Sequence, residues 1–227
     1  MKQPNYTDIV NDLQIAVVGD ITTLPEDRER LARDTSLFYV VPEIIVYPHN
    51  REHISNLLAY ATEARKHDID ISVSFRSAGT CMTGGSLTQS IIVDTTKHMN
   101  RVYDVTEFSA STEPGAYYRD FEKKTLAHGW IMPSYPASRE IAAMGGIISN
   151  NSGGEKTLTY GKTENYVKSL DVVYANGQRD LLRAFSGDEL QAKFAEQTEG
   201  GRIHREMYQL ISENYDLIMS AKPTVSK

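Results

Sequence analysis

The chain has 227 residues, enough to bury a core of its own as one large domain or as two small lobes. Its 24 Lys+Arg against 30 Asp+Glu give a net charge of −6, which argues against wholesale binding of nucleic acid. One cysteine excludes an internal disulfide and any cysteine-cage zinc or iron–sulfur site, and no apolar run reaches the length of a membrane span.

The opening Met1-Lys2-Gln3-Pro4 lacks the apolar stretch of a signal peptide, so the cytoplasm is the expected compartment, with peripheral membrane attachment of a longer parent protein left open. Residues 1–35 are polar and helix-prone, and Pro25 is placed to open a charged helix over Glu26–Arg33. Ile44-Ile45-Val46-Tyr47 is a short apolar run closed by Pro48, the pattern of a strand buried on both faces. Asn50 can cap a helix whose Ile54, Leu57, Leu58, Ala61 and Ala64 keep to one face. Ile69, Ile71, Val73 and Phe75 alternate as in a half-buried strand, and Ile91-Ile92-Val93-Asp94 is the next buried run.

Two strands are expected in 101–112, and Pro114-Gly115 leads into a helix carrying Tyr118, Phe121 and Leu126, closed at Gly129. Tyr117, Tyr118 and Trp130 are expected to pack this second half. Val167–Tyr174 and Arg179–Arg183 flank Asn176-Gly177, a type I′ hairpin signal. Ser186 and Glu189 form a capping box for a helix through Phe194, which Gly200-Gly201 is expected to break. Ile203, Met207, Leu210, Ile211 and Ile218 mark one last long helix. The expected division is a helical extension over 1–40, a first lobe over 41–99 and a second lobe over 100–227.

Two glycine-rich stretches carry the chemistry. Nine of the eleven residues from Arg76 to Ser86 are small or hydroxylated, and this loop leaves a strand directly. The second stretch holds Gly145-Gly146 and Gly153-Gly154, separated by Ile147 to Ser152. Such density leaves backbone N–H groups uncovered, and those suit a phosphate where no lysine cage is offered. A Walker A loop would need lysine where Gly85 stands, and no Gly-x-Gly-x-x-Gly opens a helix. What remains is a pyrophosphate wrapped by backbone amides, helped by the Thr80 and Thr83 hydroxyls. Cys81 has no nearby histidine in sequence and reads as a small loop residue. The six histidines are scattered, and only His49-x3-His53 has a spacing that a metal could use; no metal is expected.

In this order the residues resemble the FAD-binding domain of the vanillyl-alcohol oxidase/p-cresol methylhydroxylase superfamily, nearest to its D-lactate and D-2-hydroxyglutarate dehydrogenases. The resemblance runs from Thr35–Pro42 through Arg76–Gly85, Ile91–Asp94, His98–Arg101 and Glu113-Pro114-Gly115. It continues through Gly145–Gly154 to Tyr160-Gly161-Lys162-Thr163, covering residues 35–180 in unbroken order. It implies an α+β fold of two α/β lobes, the first a small parallel sheet with helices and the second a mainly antiparallel sheet with helices, with FAD extended between them. By position, Arg76, Ser77, Ala78, Gly79, Thr80, Cys81, Gly84 and Gly85 would hold the pyrophosphate. Pro136, Ser138, Ala143, Gly145 and Gly146 would line the middle of the cofactor, Asn150 and Gly153 would continue that wall, and Val167 would face the adenine. Ala78 stands where many relatives have glycine, which requires a negative φ there. No histidine sits in the first loop, so the FAD is expected to be non-covalent.

The family implies oxidation of a D-2-hydroxy acid, with electrons passed to a further acceptor. Relatives add a substrate-binding cap beyond the stretch matched here, so the chain is expected to be a fragment that does not turn over by itself, and its catalytic residues are unassigned. Two alternatives stay open at this level: a sugar or alcohol oxidase on the same fold, and a nucleotide-binding module without chemistry of its own.

Overall fold

The computed structural model describes residues 4–223, so the opening Met1-Lys2-Gln3 lies outside them. Helix α1 (Tyr6–Ala16) starts at Asn5, whose side chain accepts the Thr7 N–H, and buries Ile9 and Leu13. There follow β1 (Asp20–Thr22), α2 (Pro25–Leu31), β2 (Ile44–Tyr47), α3 (Arg51–Lys66), β3 (Val73–Arg76) and β4 (Ile91–Asp94). The four strands form one sheet in the order β1-β2-β4-β3. β2, β4 and β3 run parallel, and β1 is an antiparallel edge with Asp20 opposite Tyr47.

Every residue of β2 and β4 is buried, because helices cover both faces of the sheet. Ile44, Val46, Ile91 and Val93 pack with Leu13 of α1 and Leu57, Ala61 and Ala64 of α3. Their neighbours Ile45, Tyr47 and Ile92 turn to the other face, against Leu31 of α2. Asn50 caps α3 through the N–H groups of Glu52 and His53, as expected.

The second half begins with β5 (Val102–Val105) paired to β6 (Ala110–Thr112), then α4 (Tyr118–Leu126), α5 (Met144–Ser149) and α6 (Thr157–Tyr160). A second core gathers Ala116, Tyr118, Phe121, Tyr135, Ala142, Met144 and Ile147. The hairpin β7 (Ser169–Val173) with β8 (Arg179–Arg183) follows, then α7 (Gly187–Ala195), α8 (Glu199–Glu213) and α9 (Tyr215–Ala221). The antiparallel pairing of this half is divided between two separate hairpins.

The β7–β8 turn seats on α3 of the first sheet. Ser55 Oγ donates to the Gly177 carbonyl and Thr62 Oγ1 to that of Ala175, while Arg51 pairs with Asp171. The turn itself is not type I′. Tyr174 and Gln178 still pair, Gly177 N–H returns to the Tyr174 carbonyl, and of the two turn residues only Gly177 has positive φ, at 83°. This is a three-residue loop, a type I turn closed by a left-handed glycine. A Cβ on Gly177 would lie 2.6 Å from the Ser55 carbonyl oxygen and 2.9 Å from Ala59 Cβ. Gly177→Ala is therefore expected to cost about 2 kcal/mol, from left-handed strain and from lifting the turn off α3. Thermal unfolding measures it, and an unchanged melting temperature would mean that the junction carries no stability.

Five further expectations change. Asp20–Thr22 is a strand inside the region read as helical; it is short and paired on one side only. The strand expected from Ile69 starts at Val73, where pairing with Ile91 begins, and Phe75 is exposed while Arg76 is buried. Trp130 is half exposed rather than packed. Gly200 and Gly201 do not break a helix but open α8, capped by Thr198. A Cβ at Gly200 would strike Asp180 Oδ2, and one at Gly201 the Glu196 carbonyl, so close packing requires the pair. The last long helix is two helices, interrupted at Asn214.

Candidate functional site

Strand β3 delivers the first glycine loop at its C-terminal end, and Arg76 is the last paired residue, opposite Asp94. The Arg76 carbonyl accepts the Thr95 N–H at 3.0 Å, which anchors the loop's start to the next strand. The loop's far side is held by Thr35, whose N–H and Oγ1 both donate to the Cys81 carbonyl, at 3.2 and 2.9 Å. Between these anchors the N–H groups of Ala78, Gly79, Thr80 and Cys81 donate to no acceptor among the described residues. A row of unused donors on a fixed loop is what a pyrophosphate requires.

Gly79 and Gly84 have φ of +71° and +76°, and Ala78 is not among the non-glycine residues with left-handed backbone (Val17, Asp68 and Asn151). A Cβ on Gly84 would lie 2.7 Å from the Phe38 ring. A Cβ on Gly79 would fall on the Arg76 guanidinium, which lies directly beneath the loop. That guanidinium is buried, and its Nη1 has no hydrogen-bond partner. Burial pulls its pKa down from the ordinary arginine range, against the opposing pull of Asp94 and Asp34. The site thus holds a desolvated cation under one thickness of glycine backbone.

The Cys81 thiol makes its contacts within the loop. Its sulfur lies 3.1 Å from Thr83 Oγ1, and that hydrogen bond draws the thiol pKa below its usual value. This hydroxyl therefore serves the thiol, which the reading of Thr83 as a phosphate helper did not anticipate.

The second glycine stretch meets the first. Ser77 Oγ donates to the Pro114 carbonyl at 3.1 Å, and the Gly145 N–H reaches the same carbonyl at 2.8 Å. A Cβ on Gly145 would lie 2.8 Å from Ser77 Oγ and 2.7 Å from Pro114 Cβ. The Ser77 side chain and Pro114 can approach this closely only because position 145 has no side chain. Ala143 joins this junction by bridging to Tyr117, and the Ser138 carbonyl accepts from Ile141 and Ala142 in the turn before it. Pro136 packs against Gly154, where a Cβ would strike the Tyr135 carbonyl. Gly153 lies against Thr157, Asn150 closes α5, and left-handed Asn151 accepts the Glu164 N–H through its side chain at 2.9 Å.

Val167 stands apart from the phosphate loop. It lines a cavity of about 400 Å³ between α5 and the β7–β8 hairpin, together with Ile148, Asn151, Leu170 and Leu182. The structure thus brings Arg76–Gly85 and Gly145-Gly146 together and places Val167 at a second hollow.

Sequence reasoning missed one cluster. Asp20 of β1, His49 after β2 and His98 after β4 converge, with their ligating atoms all within 4.8 Å of one another. His53, the partner that the i, i+4 spacing favoured, instead accepts the His49 backbone N–H through Nδ1 at 3.3 Å. Among the described residues no helix is long and apolar enough to cross a membrane.

The family described as FAD binding domain matches residues 42–180. The glycolate oxidase subunit GlcD of Bacillus subtilis is 34% identical over 152 residues, 66% of this chain and 31% of the relative. D-2-hydroxyglutarate dehydrogenase of Escherichia coli is 26% identical over 94% of this chain and 21% of the relative. The chain therefore spans between a fifth and a third of the length of these relatives. Among solved structures, an alkyldihydroxyacetonephosphate synthase superposes with a TM-score of 0.65 at 22% identity, over 82% of this chain and 36% of that one. The orphaned Arg76 nitrogen, the free loop N–H groups and the side-chain-free contact at Gly145 all suit a dinucleotide pyrophosphate, and the chain belongs to the FAD-binding domain family.

Proposed function

We propose that this chain is the FAD-binding portion of an enzyme that oxidises a D-2-hydroxy acid, with residues 41–99 and 100–227 as the two lobes that grip the cofactor. The observation that carries this reading is the buried, unpartnered Arg76 guanidinium beneath a loop of free N–H groups. The names of the relatives, glycolate oxidase subunit and D-2-hydroxyglutarate dehydrogenase, supply the substrate class.

Arg76, with the N–H groups from Ser77 to Cys81 and the Gly84-Gly85 turn, would hold the pyrophosphate. Gly145 and Gly146 keep the facing wall close, with Pro136, Ser138, Ala143, Asn150 and Gly153 behind and beside it, and Val167 would border the adenine. Bound non-covalently, FAD supplies the acceptor for the hydride that leaves the substrate's Cα. The protein's part is to fix the cofactor and exclude water from its phosphates, where fixed donors act most strongly.

Arg119 lies over the Tyr117 ring, Arg139 pairs with Glu122 and Glu140, and Arg183 with Glu189. These three cations already have partners, which makes them poor candidates to hold a substrate carboxylate.

The test assays the parent protein and residues 1–227 with D-lactate, D-2-hydroxyglutarate and glycolate and an artificial electron acceptor. Turnover of at least one hydroxy acid by the parent protein, and none by the chain alone, is expected. A parent active only on sugars or simple alcohols would refute the substrate class, and turnover by residues 1–227 would refute the division of labour.

A further inference from the structure

At the edge of the first sheet, three chain segments bring two imidazoles onto one carboxylate. His49 Nε2 lies 2.8 Å from Asp20 Oδ1, and His98 Nε2 lies 2.8 Å from Asp20 Oδ2. The two rings sit 4.1 Å apart, tilted by 47°. All three side chains are partly exposed, at 44%, 47% and 30% for Asp20, His49 and His98, so an ion can reach them from solvent.

We propose that Asp20, His49 and His98 form a binding site for a zinc-class transition-metal dication. Two imidazole nitrogens and a carboxylate oxygen are the donor set that such ions prefer over magnesium or calcium. Donor atoms on one tetrahedral zinc stand about 3.3 Å apart. The donor atoms here begin at 2.8 Å and stay within 4.8 Å of one another, so side-chain adjustment alone opens the site. His98, Lys97 and His49 all direct polar contacts onto this one carboxylate.

Nearby, a hollow of about 470 Å³ lined in part by Asp20, Thr96 and Lys97 leaves room for water to complete the coordination. An ion here would clip the edge strand β1 to the segments that follow β2 and β4. The Lys97 ammonium takes the same ground, 3.0 Å from Asp20 Oδ2 and 4.3 Å from the centre of the Tyr47 ring. Lys97 is therefore a competitor of the ion.

The test titrates the chain, freed of metal with a chelator, with Zn²⁺ by calorimetry and with Co²⁺ by visible absorption. One saturable site is expected, with a Co²⁺ spectrum typical of nitrogen and oxygen ligands and a melting temperature raised by several degrees at saturation. His49→Gln and His98→Gln should each weaken binding by at least about 100-fold, beyond the 10–100-fold usual for removing a group that merely supports a ligand. Lys97→Gln keeps every ligand and should bind more tightly than wild type. Since that variant and the wild-type Co²⁺ spectrum need no ligand removed, a failure of either histidine variant to fold does not blunt the test. Absence of a saturable site in the wild type, wild-type affinity in both histidine variants, or weaker binding in Lys97→Gln would overturn the proposal.

Discussion

Gly79→Val should lower FAD affinity by at least about 100-fold, equivalent to about 2.7 kcal/mol. Two effects act together. The backbone at this position is left-handed, with φ +71°, which costs a residue with a Cβ about 1–2 kcal/mol and a branched one more. The new side chain would also fall on the Arg76 guanidinium, which would have to swing from beneath the loop. Relief comes from displacing Arg76 or from lifting the loop, and either one takes donors away from the phosphates. Were these glycines purely structural, the variant would melt earlier but bind flavin as before once folded. Thermal melting beside flavin titration therefore distinguishes the two, and an unchanged affinity in folded Gly79→Val would remove the phosphate assignment.

Arg76→Met should weaken FAD binding by about 10- to 150-fold, the 1.5–3 kcal/mol of hydrogen bonds made by a charged group. Its effect on the apoprotein is expected to be small. The orphaned Nη1 makes no hydrogen bond within the protein, and methionine fills most of the same volume without a charge to desolvate. Asp94, the acid opposite Arg76, keeps the Thr96 N–H at 2.8 Å and the Thr96 hydroxyl at 2.6 Å. A large loss of cofactor affinity with a nearly unchanged apo melting temperature is thus the signature of a cation placed for a ligand. A variant that melts far lower while retaining FAD affinity would make Arg76 a structural residue instead.

The parallel core was legible because its physics is local to each strand. Ile44–Tyr47 and Ile91–Asp94 are apolar without interruption, as strands covered on both faces must be. The edge strand Asp20–Thr22 carries a single apolar residue among three and pairs on one side, so no period announces it. Asn176-Gly177 correctly marked a hairpin, but the turn type follows from the pairing of Val173 with Arg179, which fixes the loop length and is not a property of the dipeptide. Gly200-Gly201 carried the same ambiguity: small residues signal either a break or a close approach, and Asp180 and Glu196 decide for the latter from afar.

The glycine loops of the site were legible as motifs, and their contact was not. That Ser77 rests on Gly145, and that Arg76 turns under Gly79, are tertiary facts with no local signature. The Asp20, His49 and His98 cluster was hidden for the same reason, since its members come from three separate segments of the first sheet.

The central claim, that these loops hold FAD through its pyrophosphate, is tested most directly by titrating the apoprotein with FAD and, separately, with FMN, following flavin fluorescence. FMN carries one phosphate and no adenine, so it can use neither the full row of loop N–H groups nor the hollow at Val167. The account predicts saturable binding of one FAD per chain, at least about tenfold tighter than FMN, a difference of about 1.4 kcal/mol. Equal affinity for the two flavins, or no saturable binding of FAD, would contradict it.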